Sequence, residues 1–473
     1  MTEYLLVIGL VTLVWLTGIL ASRAALGSQR SLSLSIGEGY FIGWALVLAG
    51  WTLSRWLTGG YSGLFVTLLM GLLLLGLAWL NRKQIRLANP KLGAPELCAL
   101  AIALPLFILI CIDVANRPLI AWDAWATYGF KAQLMLLLET PPEFVSPHTW
   151  QALAPDNGFA AYPGHGNGLS YVQLTIASAI GRWSEPLVSL AWPTALLAIG
   201  FLIHGYASQI RLGRWQACIA ALLFTSMPAM IIHATLAGYG ELFVIGYVLC
   251  AISFLHHSPQ PWRHPQGALL LAIIVFAAVI SKKTAVIFLL LLLFAWLVAR
   301  PAWPRQRFVL PLLLTAMASI YTYCALGYPF ELFLPLGPFG GIGIQQGVLH
   351  LPFPGANARL GEWLPVLHPI LLQLFADTGL LLVPWLLAVA TVVAASQFHH
   401  HDSSRRLCYW MLISGFAFYM VLAFTHQGEY VMQGTITMRF LMVHITISLM
   451  LALQWWANVQ APSPRESGTT TRP

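Results

Sequence analysis

The chain has 473 residues and a formal charge of +8, from 24 Lys+Arg against 16 Asp+Glu, yet only 8% of it is charged and 58% is hydrophobic. An ordinary soluble domain is nearer a quarter charged, so that class is excluded, and the surplus of cations reads as loop sidedness in a membrane protein with no nucleic-acid partner. Apolar stretches of about 17 to 25 residues recur, the length of a helix crossing a hydrocarbon layer, and nothing shows the period-two alternation of a barrel. The composition predicts an all-α, polytopic transmembrane helical protein.

In chain order, spans are predicted at 3–21, 36–57, 60–80 and 95–114. The first has Glu3 before it and no basic segment, so it reads as a retained span and not a cleavable signal. Arg23 and Arg30 follow it, and Arg82, Lys83, Arg86 and Lys91 follow the third. Basic loops stay in the cytoplasm, which puts the N-terminus outside and turns the fourth span outward. A large external loop at 115–184 comes next, containing a short apolar helix at Leu134–Leu138, the run Ala161-Tyr162-Pro163-Gly164-His165-Gly166-Asn167, and an interfacial helix at 168–180. Further spans are predicted at 185–206, 215–232, 240–256, 266–281, 284–299, 308–326, 370–395, 407–424 and 439–457, about 13 in all. This arrangement keeps Arg211, Arg214, Arg263, Arg300, Arg305, Arg307, Arg405 and Arg406 cytoplasmic, together with a disordered tail at 461–473.

The cations left outside are Arg55, Arg117, Lys131, Arg182, Lys282, Lys283, Arg359 and Arg439. A second external loop, 327–369, holds the Gly-rich Gly337–Gly347 stretch, which lacks the Lys-Ser/Thr of a phosphate-cradling loop and reads as a flexible connection. Cys98, Cys111, Cys218, Cys250, Cys324 and Cys408 lie in or beside apolar runs without metal-ligand spacing, and read as small apolar residues. His399-His400-His401-Asp402 falls in a cytoplasmic loop and is discounted.

Ionisable residues at the edge of a membrane domain are costly to place, so each is a candidate site. The densest arrangement is Trp122-Asp123-Ala124-Trp125-Ala126-Thr127-Tyr128-Gly129-Phe130-Lys131-Ala132, just beyond the fourth span. On an α-helix Asp123, Thr127 and Lys131 share one face, the carboxylate and ammonium about 12 Å apart along the axis. That separation suits a groove in which an acid acts on one end of a substrate while a cation holds an anionic group at the other. A general base at Asp123 gains shielding from Trp122 and Trp125; the bland alternative is an interfacial helix with both tryptophans in an aromatic belt and Asp123 as its cap. Asp113, which ends a span, reads as a solvated terminus. Lys282 and Lys283 place two like charges at one point, where one faces a site and the other snorkels to water. Arg439, at the start of the last span, is either a fork for phosphate or a headgroup anchor. Glu241 in Gly238-Tyr239-Gly240-Glu241 either orients a sugar hydroxyl or favours a helix N-terminus, and His165 among glycines either folds over a site or is solvated.

Four separated segments together resemble multi-spanning bacterial members of the C-type (GT-C) glycosyltransferase superfamily, related to protein O-mannosyltransferases and lipid A aminoarabinose transferases. The segment from Trp122 to Ala132 looks like that family's first external loop with its catalytic Asp. Tyr162-Pro163 and the short helix after it look like juxtamembrane helices of the same loop. Gly238-Tyr239-Gly240-Glu241 is similar to a Gly-Tyr-Ala-Asp motif, and Ser281-Lys282-Lys283-Thr284 to a Thr-Lys-Asn-Glu-Gly corner. Glu241 stands where the family has Asp, and Thr284 and Ala285 where the corner has its Glu.

The resemblance implies additional N-terminal helices at 1–94 before a core at 95–460. It also implies transfer of a sugar from a polyprenyl-phosphate donor to a glycan, lipid or protein acceptor on the periplasmic face of a bacterial inner membrane. Asp123 is then the general base, Lys131, Lys282, Lys283 and Arg439 bind the donor phosphate, and Trp122, Trp125, Tyr162, His165, Tyr239 and Glu241 contact substrate. No cofactor is implied, and dependence on a divalent ion stays open. The rivals are a transporter or flippase of a lipid-linked or anionic substrate, and an O-antigen ligase or polymerase.

Overall fold

The computed structural model describes residues 2–26, 30–82, 92–145, 147–153, 159–160, 165–257 and 265–282, the strand residues between 332 and 359, and scattered helical residues within 285–292 and 442–457. Two compact units divide the chain, Met1–Leu289 with Trp456–Pro473, and Leu290–Trp455.

The first unit is largely helical. It begins with α1 (Thr2–Leu26), α2 (Leu32–Thr58), α3 (Gly63–Asn81) and α4 (Ala94–Ala115), and a π-helix (Asp123–Gly129) then runs directly into α5 (Phe130–Leu138). The two-residue strands β1 (Glu143–Phe144) and β2 (Phe159–Ala160) pair in parallel on either side of α6 (Pro147–Ala152). Next come α7 (Gly168–Ile180), α8 (Glu185–Val188), α9 (Ala191–Gln209), α10 (Arg214–Thr225), α11 (Pro228–Thr235), α12 (Glu241–His257) and α13 (Pro265–Ser281).

Ser31 starts α2 by accepting the Leu34 N–H at 3.2 Å, which satisfies one of the donors a helix N-terminus leaves over. Gly39 and Gly43, one turn apart on α2, admit the backbone of α1: a Cβ at Gly43 would lie 2.0 Å from the Val14 carbonyl oxygen. Between helices in lipid, where the hydrophobic drive is absent, close packing of this kind carries the association. Between the two glycines, Phe41 meets Tyr247 of α12 at 5.8 Å between ring centroids, and Phe243 of α12 meets Trp192 of α9 at 5.5 Å. α2 is thereby the buried centre of the unit. By contrast α3 is apolar and almost wholly exposed, with Leu64, Leu68, Leu72 and Leu75 all on its outside. A helix that is apolar all round belongs in lipid or a protein core, and among the described residues no core covers this one.

The number of spans is corrected by these helices. Among the described residues five are long and apolar enough to cross a membrane, Thr2–Leu26, Leu32–Thr58, Gly63–Asn81, Ala94–Ala115 and Glu185–Gln209, or six if one bent pair counts as a span. The eight spans predicted over these residues are therefore reduced to five or six, and the total of about 13 falls with them. The run 215–232 breaks into α10 and α11, bent by 58°. Pro228 at the start of α11 supplies the physical reason, since proline disfavours helix in the residue before it. The runs at 240–256 and 266–281 form helices of 17 residues, about 25 Å at 1.5 Å per residue, short of a hydrocarbon layer of about 30 Å. The predicted interfacial helix exists as α7, but ten of its 13 residues are buried against the rest of the unit.

The second unit corrects the all-α class. β3 (Leu332–Pro335), β4 (Gly341–Gln345), β5 (Val348–His350) and β6 (Asn357–Arg359) form an antiparallel sheet in that order. Leu332 pairs with Ile344, Gly343 with His350, and Val348 with Arg359. The Gly-rich stretch expected to be a flexible connection is thus partly strand. Gly341-Ile342-Gly343-Ile344 alternates with period two, a short pattern easily lost among glycines. The spans predicted between 284 and 457 lie wholly or largely outside the described residues, as do the histidine run and the tail.

Candidate functional site

Asp123 opens the π-helix and is half-buried. At the other end the Phe130 N–H reaches back to the Trp125 carbonyl, five residues earlier, so the turn is wider than that of an α-helix. The single α-helical face expected for Asp123, Thr127 and Lys131 is corrected accordingly: Thr127 and Lys131 turn into the protein, while Asp123 stays at its edge. Trp122 and Trp125 flank the carboxylate, both exposed, with ring centroids 4.8 Å apart. Trp125 continues to Trp150 at 6.0 Å and Trp150 to Phe130 at 5.2 Å, making an aromatic surface beside Asp123.

Lys131 is completely buried. Its ammonium donates to the His165 carbonyl at 2.8 Å, the Asn167 side-chain oxygen at 3.3 Å and the Gly166 carbonyl at 3.4 Å, and lies 5.6 Å from the Tyr128 ring centroid. An ammonium has three protons, and this one spends all of them on the loop before α7. The loop and the helix it leads into are held twice more, by the His165 ring set edge-on to Tyr128 and by Ser170 of α7 donating to the Tyr128 carbonyl at 2.9 Å. Lys131 thus pins His165, Gly166 and Asn167 to the first turn of α5.

Burial pushes the Lys131 ammonium down to about 8 from the ordinary 10.5, although the three oxygens favour its charged form. Below about pH 8 the folded and unfolded chains are both protonated here, and the cost of burying the charge is felt in full. Between about pH 8 and 10.5 the unfolded chain binds more protons, so stability rises with pH across that window, by roughly 3 kcal/mol at about 1.4 kcal/mol per unit. In thermal unfolding of the purified protein, wild type should therefore gain on Lys131→Met as pH rises through this window. A difference that stays constant with pH would place the ammonium in water.

Three further segments close on this one. Gly238 has φ +99°, and a Cβ there would sit 2.3 Å from that of Ala124, so only glycine lets the Gly238–Glu241 segment lie against the residue after Asp123. Gly240 in turn packs on the Lys282 and Leu169 side chains, and Gly166 on the Ile280 carbonyl. The Tyr239 carbonyl accepts from the Trp192 indole at 2.6 Å, which ties the segment to α9. Glu241 is buried at the start of α12 and forms an ion pair with Lys282, while His233 of α11 stands 3.8 Å from its second oxygen and 5.4 Å from the Tyr239 ring. The segments that carry Asp123, Lys131 with His165, and Tyr239 with Glu241 and Lys282 thus pack against one another. Tyr162, Lys283 and Arg439 lie outside the described residues.

Other charges at the predicted external edge are held by their own chain. Arg117 bridges to Asp113 at 2.8 Å, one turn back, and Arg182 forks onto both oxygens of Glu3 at 2.7 and 2.6 Å. Asp113 is therefore half of a partly exposed ion pair.

Two groups escaped the sequence reading. His233 had no spacing to connect it with Glu241, because the two meet only through the turn between α11 and α12. Glu38 did leave a signal, as a carboxylate inside the apolar run of α2, where charge is rare and marks a partner. Its partner is Arg30, expected in a basic cytoplasmic loop and found buried beside it. No family model matches this chain, and neither a curated protein nor a solved structure does.

Proposed function

We propose that this chain is a membrane glycosyltransferase that moves a sugar from a polyprenyl-phosphate donor to an acceptor hydroxyl of a glycan, lipid or protein, with inversion. The observation that carries the reading is the seat of Gly238 on Ala124, which packs the segment leading to Glu241, with its Lys282 and His233 neighbours, against the residue after the half-exposed Asp123. Asp123 takes the acceptor proton as the new oxygen–carbon bond forms, and the anomeric carbon–oxygen bond breaks with its electron pair leaving on the lipid phosphate. Lys282 answers the charge that develops on that phosphate. Lys131 serves the same site by fixing the His165 loop, and Trp122 and Trp125 offer apolar faces to a sugar ring. The reading follows motif residues and their convergence, and it places the site on the periplasmic face of a bacterial inner membrane, with the N-terminus external and the C-terminus cytoplasmic.

Incubation of the purified protein in nanodiscs with a labelled polyprenyl-phosphate sugar and an acceptor extract tests it. Label leaving the lipid for a product of inverted anomeric configuration is the expected result; label that stays on the lipid overturns the reading. A second reading, a transporter or flippase, draws on the 58° break between α10 and α11, since broken helices line many transport pathways. Movement of intact donor across a vesicle membrane would favour that reading.

A further inference from the structure

At the other end of α4 from the Asp123 segment, three helices bring together donor atoms that no sequence spacing relates. A carboxylate oxygen of Glu96 in the first turn of α4, a ring nitrogen of His204 on α9 and the Cys218 sulfur on α10 all lie within 4.8 Å of one another. Cys218 is buried and is a free thiol. Each of the other two donors is already oriented by its surroundings.

The imidazole is the informative one. The Ser33 hydroxyl donates its single proton to the Phe201 carbonyl at 3.0 Å, so it can only accept from His204 Nδ1, which also lies 3.0 Å away. That fixes the tautomer with the proton on Nδ1 and leaves a lone pair on Nε2. Nε2 is buried and has no hydrogen-bond partner among the described residues. A histidine with one ring nitrogen anchored and the other an unused base has the arrangement of a metal ligand with its supporting hydrogen bond. The Glu96 carboxylate is held in the same way, by the Arg214 guanidinium at 2.6 Å on one oxygen and the Gly93 N–H at 3.0 Å on the other, and each oxygen keeps a second lone pair. The Arg214 side chain is 55% exposed, so solvent screens its repulsion of a cation.

We propose that Glu96, His204 and Cys218 form a binding site for a borderline-soft divalent transition ion, with Zn²⁺ the best match to a thiolate, imidazole and carboxylate set. Magnesium and calcium prefer oxygen ligands alone, whereas zinc takes sulfur and nitrogen in sites of three protein ligands with a fourth position left to water. On binding, the Cys218 thiol gives its proton to solvent, and the sulfur and carboxylate charges together balance the ion. The bound ion ties α4, α9 and α10 at one end of the helical unit, independently of the transfer chemistry.

Cobalt(II) added to the chelator-treated, full-length protein in detergent is the test, as a coloured stand-in for zinc. A thiolate-to-cobalt charge-transfer band that saturates at one equivalent and is displaced by Zn²⁺ is expected. Cys218→Ser should abolish the band, and Ser33→Ala should keep it while weakening cobalt affinity about 10- to 100-fold, the usual effect of removing a supporting hydrogen bond. No band in the wild type, or one of full intensity in Cys218→Ser, overturns the site. If Cys218→Ser does not fold, alkylation of wild-type Cys218 by N-ethylmaleimide, followed by mass spectrometry, decides the question: Zn²⁺ must slow it, and an unchanged rate overturns the proposal.

Discussion

Replacing Asp123 with asparagine should cut sugar transfer by about 100- to 10,000-fold, the range a positioned general base contributes, while the lipid-linked donor still binds. The amide keeps the size of the carboxylate and its place at the start of the π-helix, so the seat of Gly238 on Ala124 is undisturbed. What is lost is the capacity to take a proton. Single-turnover transfer and donor binding, measured on the same preparation, separate the two. A variant that turns over normally would remove Asp123 from the chemistry and leave it as the cap of an interfacial helix. A variant that fails to bind donor would instead make the residue part of the binding surface.

The second large effect concerns stability. Glu38 and Arg30 form an ion pair whose side chains are 0% and 1% exposed, with Ser22 donating to Glu38 at 2.9 Å, Arg30 donating to the Ser253 carbonyl at 3.4 Å and its guanidinium 5.1 Å from the Phe254 ring centroid. This one pair joins α1, α2 and α12. Glu38→Leu leaves the guanidinium buried without a counter-charge, and should destabilise the protein by about 3 to 5 kcal/mol. Removing both charges in Arg30→Met/Glu38→Leu should restore most of that loss, because two packed apolar side chains carry no desolvation cost. Thermal unfolding of the two variants beside wild type measures the difference. Equal stability of the single variant and wild type would mean that water reaches the pair.

Several features were legible because they depend on composition over short windows. The first four apolar runs, 3–21, 36–57, 60–80 and 95–114, and the fifth at 185–206, correspond to helices long and apolar enough to cross a membrane. Length and hydropathy are local properties, and a backbone in lipid has few ways other than a helix to satisfy its own hydrogen bonds. Where the same rule failed, a second local signal had been outweighed. Pro228 inside 215–232 marked the bend, but the hydropathy of the run suggested one span; the Gly-Ile alternation at 341–344 marked a strand, but its glycines suggested a flexible connection.

The chemistry of single residues was legible too, but their partners were not. The sequence alone determined that Asp123 and Lys131 lie at the edge of an apolar region, that Lys282 has no local counter-charge, and that Glu241 begins a helix. Tertiary structure decided that Lys131 turns inward onto the His165 loop, that Lys282 and Glu241 are a pair, and that Glu96, His204 and Cys218 meet at all. The physical reason is range. Apolar periodicity acts within a few turns of one helix, whereas an ion pair or a ligand set depends on how helices distant in sequence rotate and pack, which follows from close contacts such as Gly238 on Ala124 and Gly43 on Val14.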